Sequence, residues 1–322
     1  MFDRRWWGPD LWTRLHMPGS ARQLAIMRIL LACVLLWLYS TPMLMFLHDM
    51  DLQRFRGLTW SVLPVSVEQL IYHHAFPYLY WTGIVAAAAM ALGFLTRYAT
   101  VTATICFILQ FDVYYRHTKS HVDWPYWNFV LLVFCLTPAL SDRYSLDALW
   151  RRWRGREPIS RPAQHYRWPI ELAGLWIAIT YCAAGIAKLF PLRAGFVWIQ
   201  GGMLHQIATE LYFDSPVYWL FGYDTPFNYS LRWPWTFMSV SAVILELFAI
   251  AILFQRRLNL PVMVMIILFH VGVYMTAGPI AFVYDATICM LFLIPPELFG
   301  DVPDAELSPA PREDDQAQNS PP

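Results

Sequence analysis

The chain has 322 residues, of which 57% are hydrophobic and 14% charged, against about 25% charged in an ordinary soluble domain. Lys+Arg and Asp+Glu both number 23, so the formal net charge is zero and no basic excess marks a nucleic-acid surface. With 17% aromatics, 16 of them Trp, the chain has too little polar surface to cover soluble globules and reads as an integral membrane protein.

A bilayer core ~30 Å thick takes ~20 apolar residues in helix. The N-terminal segment with Trp6, Trp7 and Trp12 reads as interfacial, and the apolar run after it is too long for a signal-peptide core. Apolar runs at 22–47, 75–96, 98–117, 125–141, 168–190, 234–255, 258–277 and 279–296 then predict about eight transmembrane helices. Pro138 and Pro279 blur two ends, so the count is seven to nine. The runs are too long for strands and lack period-two alternation, so the fold class is all-α, polytopic and membrane-embedded.

The connections 48–74 and 191–233 are long and rich in aromatics and proline, and either is a candidate docking surface for a protein partner. Within the second, the apolar stretch Phe196 to Tyr212 is interrupted by Gly201 and Gly202, which predicts a re-entrant or interface-lying helix. Residues 1–297 read as one transmembrane domain, and 298–322 as a disordered, acidic, Pro-rich tail. The five cysteines fall within predicted spans and suggest no disulfide framework.

Arginines orient the spans. Arg4, Arg5, Arg14, Arg22, Arg97, Arg143, the run Arg151 to Arg167, Arg256–Arg257 and Arg312 fall on one side. Arg54, Arg56, Arg116, Lys119, Arg193 and Arg232 fall on the other. The positive-inside rule makes the richer side cytoplasmic, with both termini there, and the expected location is a bacterial plasma membrane.

Ionisable groups inside spans cost ~2.5–3.5 kcal/mol each on insertion scales and normally face a partner or a cavity. They are Arg28, Asp112, Glu171, Lys188, Glu246, His270 and Asp285. Arg28 and Glu171 lie near the cytoplasmic ends, where snorkelling accounts for them. Glu246 is either an interhelical hydrogen-bond partner or a supporting charge. Lys188, one of only two lysines, either snorkels outward or turns into a cavity as a general base. His270 is either a packing residue or a polar member of that cavity. Tyr181 shares the Lys188 face, and Tyr274 the His270 face.

The predicted topology puts Lys188, His270, Asp285 and Asp112 in the outer half of the membrane. The neighbouring outer segment supplies His121, Trp124, Trp127 and Asn128. Together these suggest an outward-opening cavity for a quinone-like lipid, with no metal predicted. His117 and His121 have i, i+4 spacing, but Lys119 between them would repel a cation.

The segment Tyr181-Cys-Ala-Ala-Gly-Ile-Ala-Lys188-Leu189 resembles the aromatic-x-x-Ala-Gly-x-x-Lys-Leu signature of the vitamin K-dependent gamma-carboxylase superfamily, or HTTM proteins. Thr137–Trp150 is similar to that family's segment closing one span and opening a Ser-x-Asp-x-Leu amphipathic helix. Arg28–Ile29, Gly93–Phe94 with Arg97, and Phe269–His270 with Ile280 and Phe282 also fit, so the resemblance runs over roughly residues 20–297. It implies a membrane-helical core with an outward-facing site, in which Lys188 is the base that deprotonates reduced vitamin K or menaquinone. The family's Asn-Asn-His stretch has no match here, where Asp123-Trp124-Pro125 stands, with Asn128 a turn later and His121 a turn earlier. The carboxylase's soluble domain has no counterpart, so the resemblance extends to hydroquinone chemistry rather than to carboxylation of a docked protein. The alternatives are a non-enzymatic transporter or lipid-binding protein, and an assembly protein of the same family.

Overall fold

The structure, a computed structural model, describes residues 11–40, 64–118, 124–159, 161–190, 197–210, 213, 215–222, 231–255, 258–277, 294 and 296–299. Among these the regular elements are helices and no strand occurs. In chain order they are α1 (Leu11–His16), α2 (Ala21–Ser40), α3 (Val65–Leu70), a π turn at Ile71–Ala75 and α4 (Phe76–Leu92). Next come α5 (Thr96–Thr118), α6 (Trp124–Cys135), a 3-10 turn at Pro138–Ser141, α7 (Leu146–Trp153) and α8 (Gln164–Leu189). The chain continues through α9 (Gly202–Glu210), α10 (Pro216–Phe221), α11 (Arg232–Phe248) with a 3-10 extension at Ala249–Leu253, α12 (Asn259–Ala277) and a last 3-10 turn at Pro296–Phe299.

Among the described residues, four helices are long and apolar enough to cross a membrane: Ala21–Ser40, His73–Leu92, Gln164–Leu189 and Arg232–Ile252. At 23 residues α5 has the length but is less apolar. Its polar side faces inward: Thr96, Thr100 and Thr104 are buried, and the last two hydroxyls donate to the carbonyls of Thr96 and Thr100, one turn back. The run at 125–141 forms only the 12-residue α6, because Pro138 disfavours helix in the residue before it. Nearly all of 279–296 lies outside the described residues, as do 41–63 and the tail after 299.

Local chemistry sets the helix ends. The Ser20 hydroxyl accepts from the Gln23 amide at 2.9 Å and opens α2. The second run stops at Leu92 rather than 96, because Gly93 adopts φ +68° and the amides of Gly93 and Phe94 close the turn on Met90 and Ala89. A Cβ at Gly93 would lie 2.3 Å from the Ser145 Cβ, so only glycine fits.

The main apolar core runs through α2, α4, α5, α6, α8, α11 and α12, with Tyr39, Phe107, Trp127 and Phe134 fully buried in it. One end of this bundle is tied by arginines. Arg28, 0% exposed, donates to the carbonyl of Leu140 at 2.6 Å and to that of Tyr144. Arg14 donates to Glu171 and to the Ile252 carbonyl, at 2.7 and 2.8 Å, and Arg167 also pairs with Glu171. The snorkelling account of Arg28 and Glu171 is therefore corrected: both are buried and paired within the bundle. At the same end the Asp147 carboxylate accepts from the amides of Leu95 and Thr96 at 2.9 and 2.8 Å, capping α5 from α7.

Candidate functional site

The last turns of α8 carry Tyr181, Gly185 and Lys188. Gly185 lets α11 come close: a Cβ there would lie 3.1 Å from both the Glu246 Cβ and the Leu247 side chain. This approach brings the Lys188 amine to the two Glu246 carboxylate oxygens at 2.6 and 2.7 Å. Both side chains are largely withdrawn from solvent, at 19% and 7% exposure. A carboxylate accepting two charge-assisted bonds from one ammonium is a strong, geometrically defined pair.

Trp198 covers the amine, with the Lys188 Nζ 5.2 Å from its ring centroid. Trp198 is held by a small second core of Leu204, Ala208 and Trp235 with Met238. Gly201, at φ +79°, turns the chain there, and a Cβ on it would strike the Trp235 backbone at 2.4 Å. The Thr236 hydroxyl fastens the turn to α11 by donating to the Gln200 carbonyl at 2.9 Å. The helix break expected at Gly201 and Gly202 is thus the turn that places Trp198 over Lys188.

A second polar pair lies alongside. The Tyr181 hydroxyl and the His270 Nε2 are 3.1 Å apart, linking α8 to α12, and His270 is 2% exposed. Phe269 flanks the imidazole with ring centroids 5.6 Å apart. Tyr274 follows one turn on, half-buried. Two pairs on three helices therefore bring together an amine, a carboxylate, a phenol and an imidazole.

Other anticipated members fall elsewhere. Trp127 is fully buried in the main core. Asn128, next to it on α6, is half-buried, and its Oδ1 has no hydrogen-bond partner among the described residues. Asp112 and Trp124 lie in α5 and α6, outside the residues whose side chains are described, and His121 and Asp285 are outside the described residues altogether. Sequence reasoning missed Trp198 and Arg14. Trp198 had one usable signal, an aromatic just before a paired-glycine break; Arg14 had none, because its carboxylate partner is 157 residues away.

No family model matches the chain, and no curated protein or solved structure is similar to it. Among the described residues no His, Cys, Asp and Glu group is arranged to hold a metal ion. What the arrangement can do is proton chemistry. Moved from Lys188 to Glu246, one proton leaves a neutral amine beside a carboxylic acid, and the amine can then accept a proton from an acidic hydroxyl.

Proposed function

We propose that the chain is a polytopic membrane enzyme resembling the HTTM core of the vitamin K-dependent gamma-carboxylases, acting on a quinol-like lipid. The observation that carries the reading is the Lys188–Glu246 pair, covered by Trp198 and flanked by Tyr181–His270. In this reading about eight spans cross a bacterial plasma membrane with both termini cytoplasmic, and the site opens in the outer leaflet. The substrate class is reduced menaquinone or reduced vitamin K. Aromatic walls suit a planar ring, and the amine and imidazole suit its hydroxyls.

Lys188 is the general base. Glu246 takes the ammonium proton and frees the amine, which removes the proton from a quinol hydroxyl. Tyr181 positions the His270 ring, and His270 offers a hydrogen bond to the ring oxygens. The connections 48–74 and 191–233 remain the surfaces for a protein partner.

The test is oxygen uptake by proteoliposomes supplied with reduced menaquinone. Lysine-dependent uptake supports the reading. Uptake equal to that of empty liposomes, or unchanged in well-folded Lys188→Arg and Lys188→Met variants, overturns it.

A second reading, a transporter or lipid-binding protein, draws on one observation. The same helix α8 carries buried ionic groups near both ends, Glu171 with Arg14 and Arg167 at one and Lys188 with Glu246 at the other. Substrate flux across the bilayer without chemical change would favour it.

A further inference from the structure

Helix α7 has no buried residue. Its apolar side chains Leu146, Leu149, Trp150 and Trp153 are spaced i, i+3, i+4, i+7 and so form one stripe. All four are exposed, Trp153 to 76%. In a free helix such a stripe would roll onto the bundle. Here it cannot, because the other side of α7 is fastened. Asp147 holds the start of α5 through its carboxylate and the Gly93 carbonyl through its own amide at 3.0 Å. Arg151 donates to the Ser141 carbonyl at 3.0 Å, and Arg28 holds the preceding turn at Tyr144. The neighbouring turn adds exposed Phe94 and Leu95, so the apolar patch extends beyond α7 itself.

Basic groups border the stripe. Arg152, Arg154 and Arg156 are exposed, with Glu157 the acidic residue beside them. The Arg154 guanidinium sits 4.6 Å above the Trp150 ring, which carries its charge along the apolar side. Tryptophan, leucine and arginine on one fixed face match the boundary between headgroups and acyl chains. The charge selects an anionic surface over a neutral one.

We propose that α7 is a fixed docking surface for anionic phospholipid, with Leu149, Trp150 and Trp153 at the acyl boundary and Arg152, Arg154 and Arg156 on the phosphates. An acidic protein would meet the arginines but would leave the apolar stripe without a hydrocarbon partner. The proposal is independent of the chemistry at Lys188.

The experiment reconstitutes the full chain in phosphatidylcholine vesicles containing phosphatidylglycerol and compares spin-labelled forms of the two lipids at the protein boundary. Wild type should favour phosphatidylglycerol about fivefold, since each basic group near a surface adds an attraction of that order. The preference should fall at high salt. The triple variant R152Q/R154Q/R156Q should approach equal association of the two lipids while keeping wild-type helicity and melting temperature in detergent. Equal association in wild type overturns the proposal. So does a salt-sensitive preference that survives in the triple variant, which would put the anionic contacts elsewhere. If the triple variant does not fold, Leu149→Gln with Trp153→Gln tests the stripe: the preference must weaken, and an unchanged preference overturns the proposal.

Discussion

Glu246 presents both carboxylate oxygens to one amine, that of Lys188, at 2.6 and 2.7 Å, and the pair closes the contact between α8 and α11. Breaking a withdrawn ion pair from one side strands a charge, whereas replacing both members by apolar groups does not. Lys188→Met should therefore destabilise the fold by about 3–5 kcal/mol, and Lys188→Met with Glu246→Leu should recover most of that. Thermal unfolding in detergent measures both. A double variant no more stable than the single one would show that the pair is not the main link between these helices.

Gly185 sets how closely α8 and α11 approach, so its substitution tests the site without touching an ionisable group. Gly185→Val would push on Glu246 and Leu247, each already 3.1 Å from the position of a Cβ. Overpacking of this kind typically costs about 1–3 kcal/mol. On the proposed function, Lys188-dependent oxygen uptake should fall more than the loss of folded protein explains, because the pair moves apart. Activity per folded molecule equal to wild type would argue against a strict separation.

Arg28 is the fully buried cation at the other end of the bundle. Its two guanidinium nitrogens reach two different carbonyls, those of Leu140 and Tyr144. Lysine carries its donors on one nitrogen and lacks the planar fork whose two separate nitrogens reach the two carbonyls here. Arg28→Lys should therefore destabilise by about 1–3 kcal/mol, from one carbonyl left unsatisfied. Arg28→Met should cost more. Melting temperatures in detergent, ranked wild type, Arg28→Lys, Arg28→Met, check the order.

Asp142 lies between α6 and α7, where it accepts from Arg161 Nε at 2.8 Å and from the Tyr166 hydroxyl at 3.1 Å. Burial raises its carboxyl above the usual aspartate value, with Arg161 and Tyr166 opposing. The folded chain thus keeps this proton to a higher pH than the unfolded chain, which loses it near 3.8. Wherever the folded state binds more protons, stability falls as pH rises. The contribution of Asp142 is present at low pH and is lost between the unfolded value and the raised one. Melting curves of wild type and Asp142→Asn across mildly acidic pH should differ in slope, with wild type losing stability relative to the variant as pH rises. Parallel curves would contradict the effect.

Helical membrane character was legible because it follows from composition and run length, which need no knowledge of packing. The start of α2 and the end of α8 fall within a residue of the expected limits for the same reason. The C-terminal end of α4 was overrun, because hydropathy continues past Gly93 whereas the left-handed turn at that glycine closes the helix at Leu92. Lys188 and His270 could be picked out as costly groups in apolar helices. Their partners could not all be assigned, since Glu246 is 58 residues from Lys188 and Tyr181 is 89 from His270. Glu171 and Arg28 show the converse: hydropathy puts them at a membrane boundary, and only packing shows that they are ties inside the bundle.

The cap that Asp147 places on α5 makes two distant stretches of chain share one fate. The amides of Leu95 and Thr96 are hydrogen-bonded by a side chain of α7 rather than within their own helix. Their hydrogen exchange therefore reports whether α7 is seated. A lipid that pulls on α7, or a variant that loosens it, would register first as faster exchange at two amides 51 and 52 residues earlier in the chain.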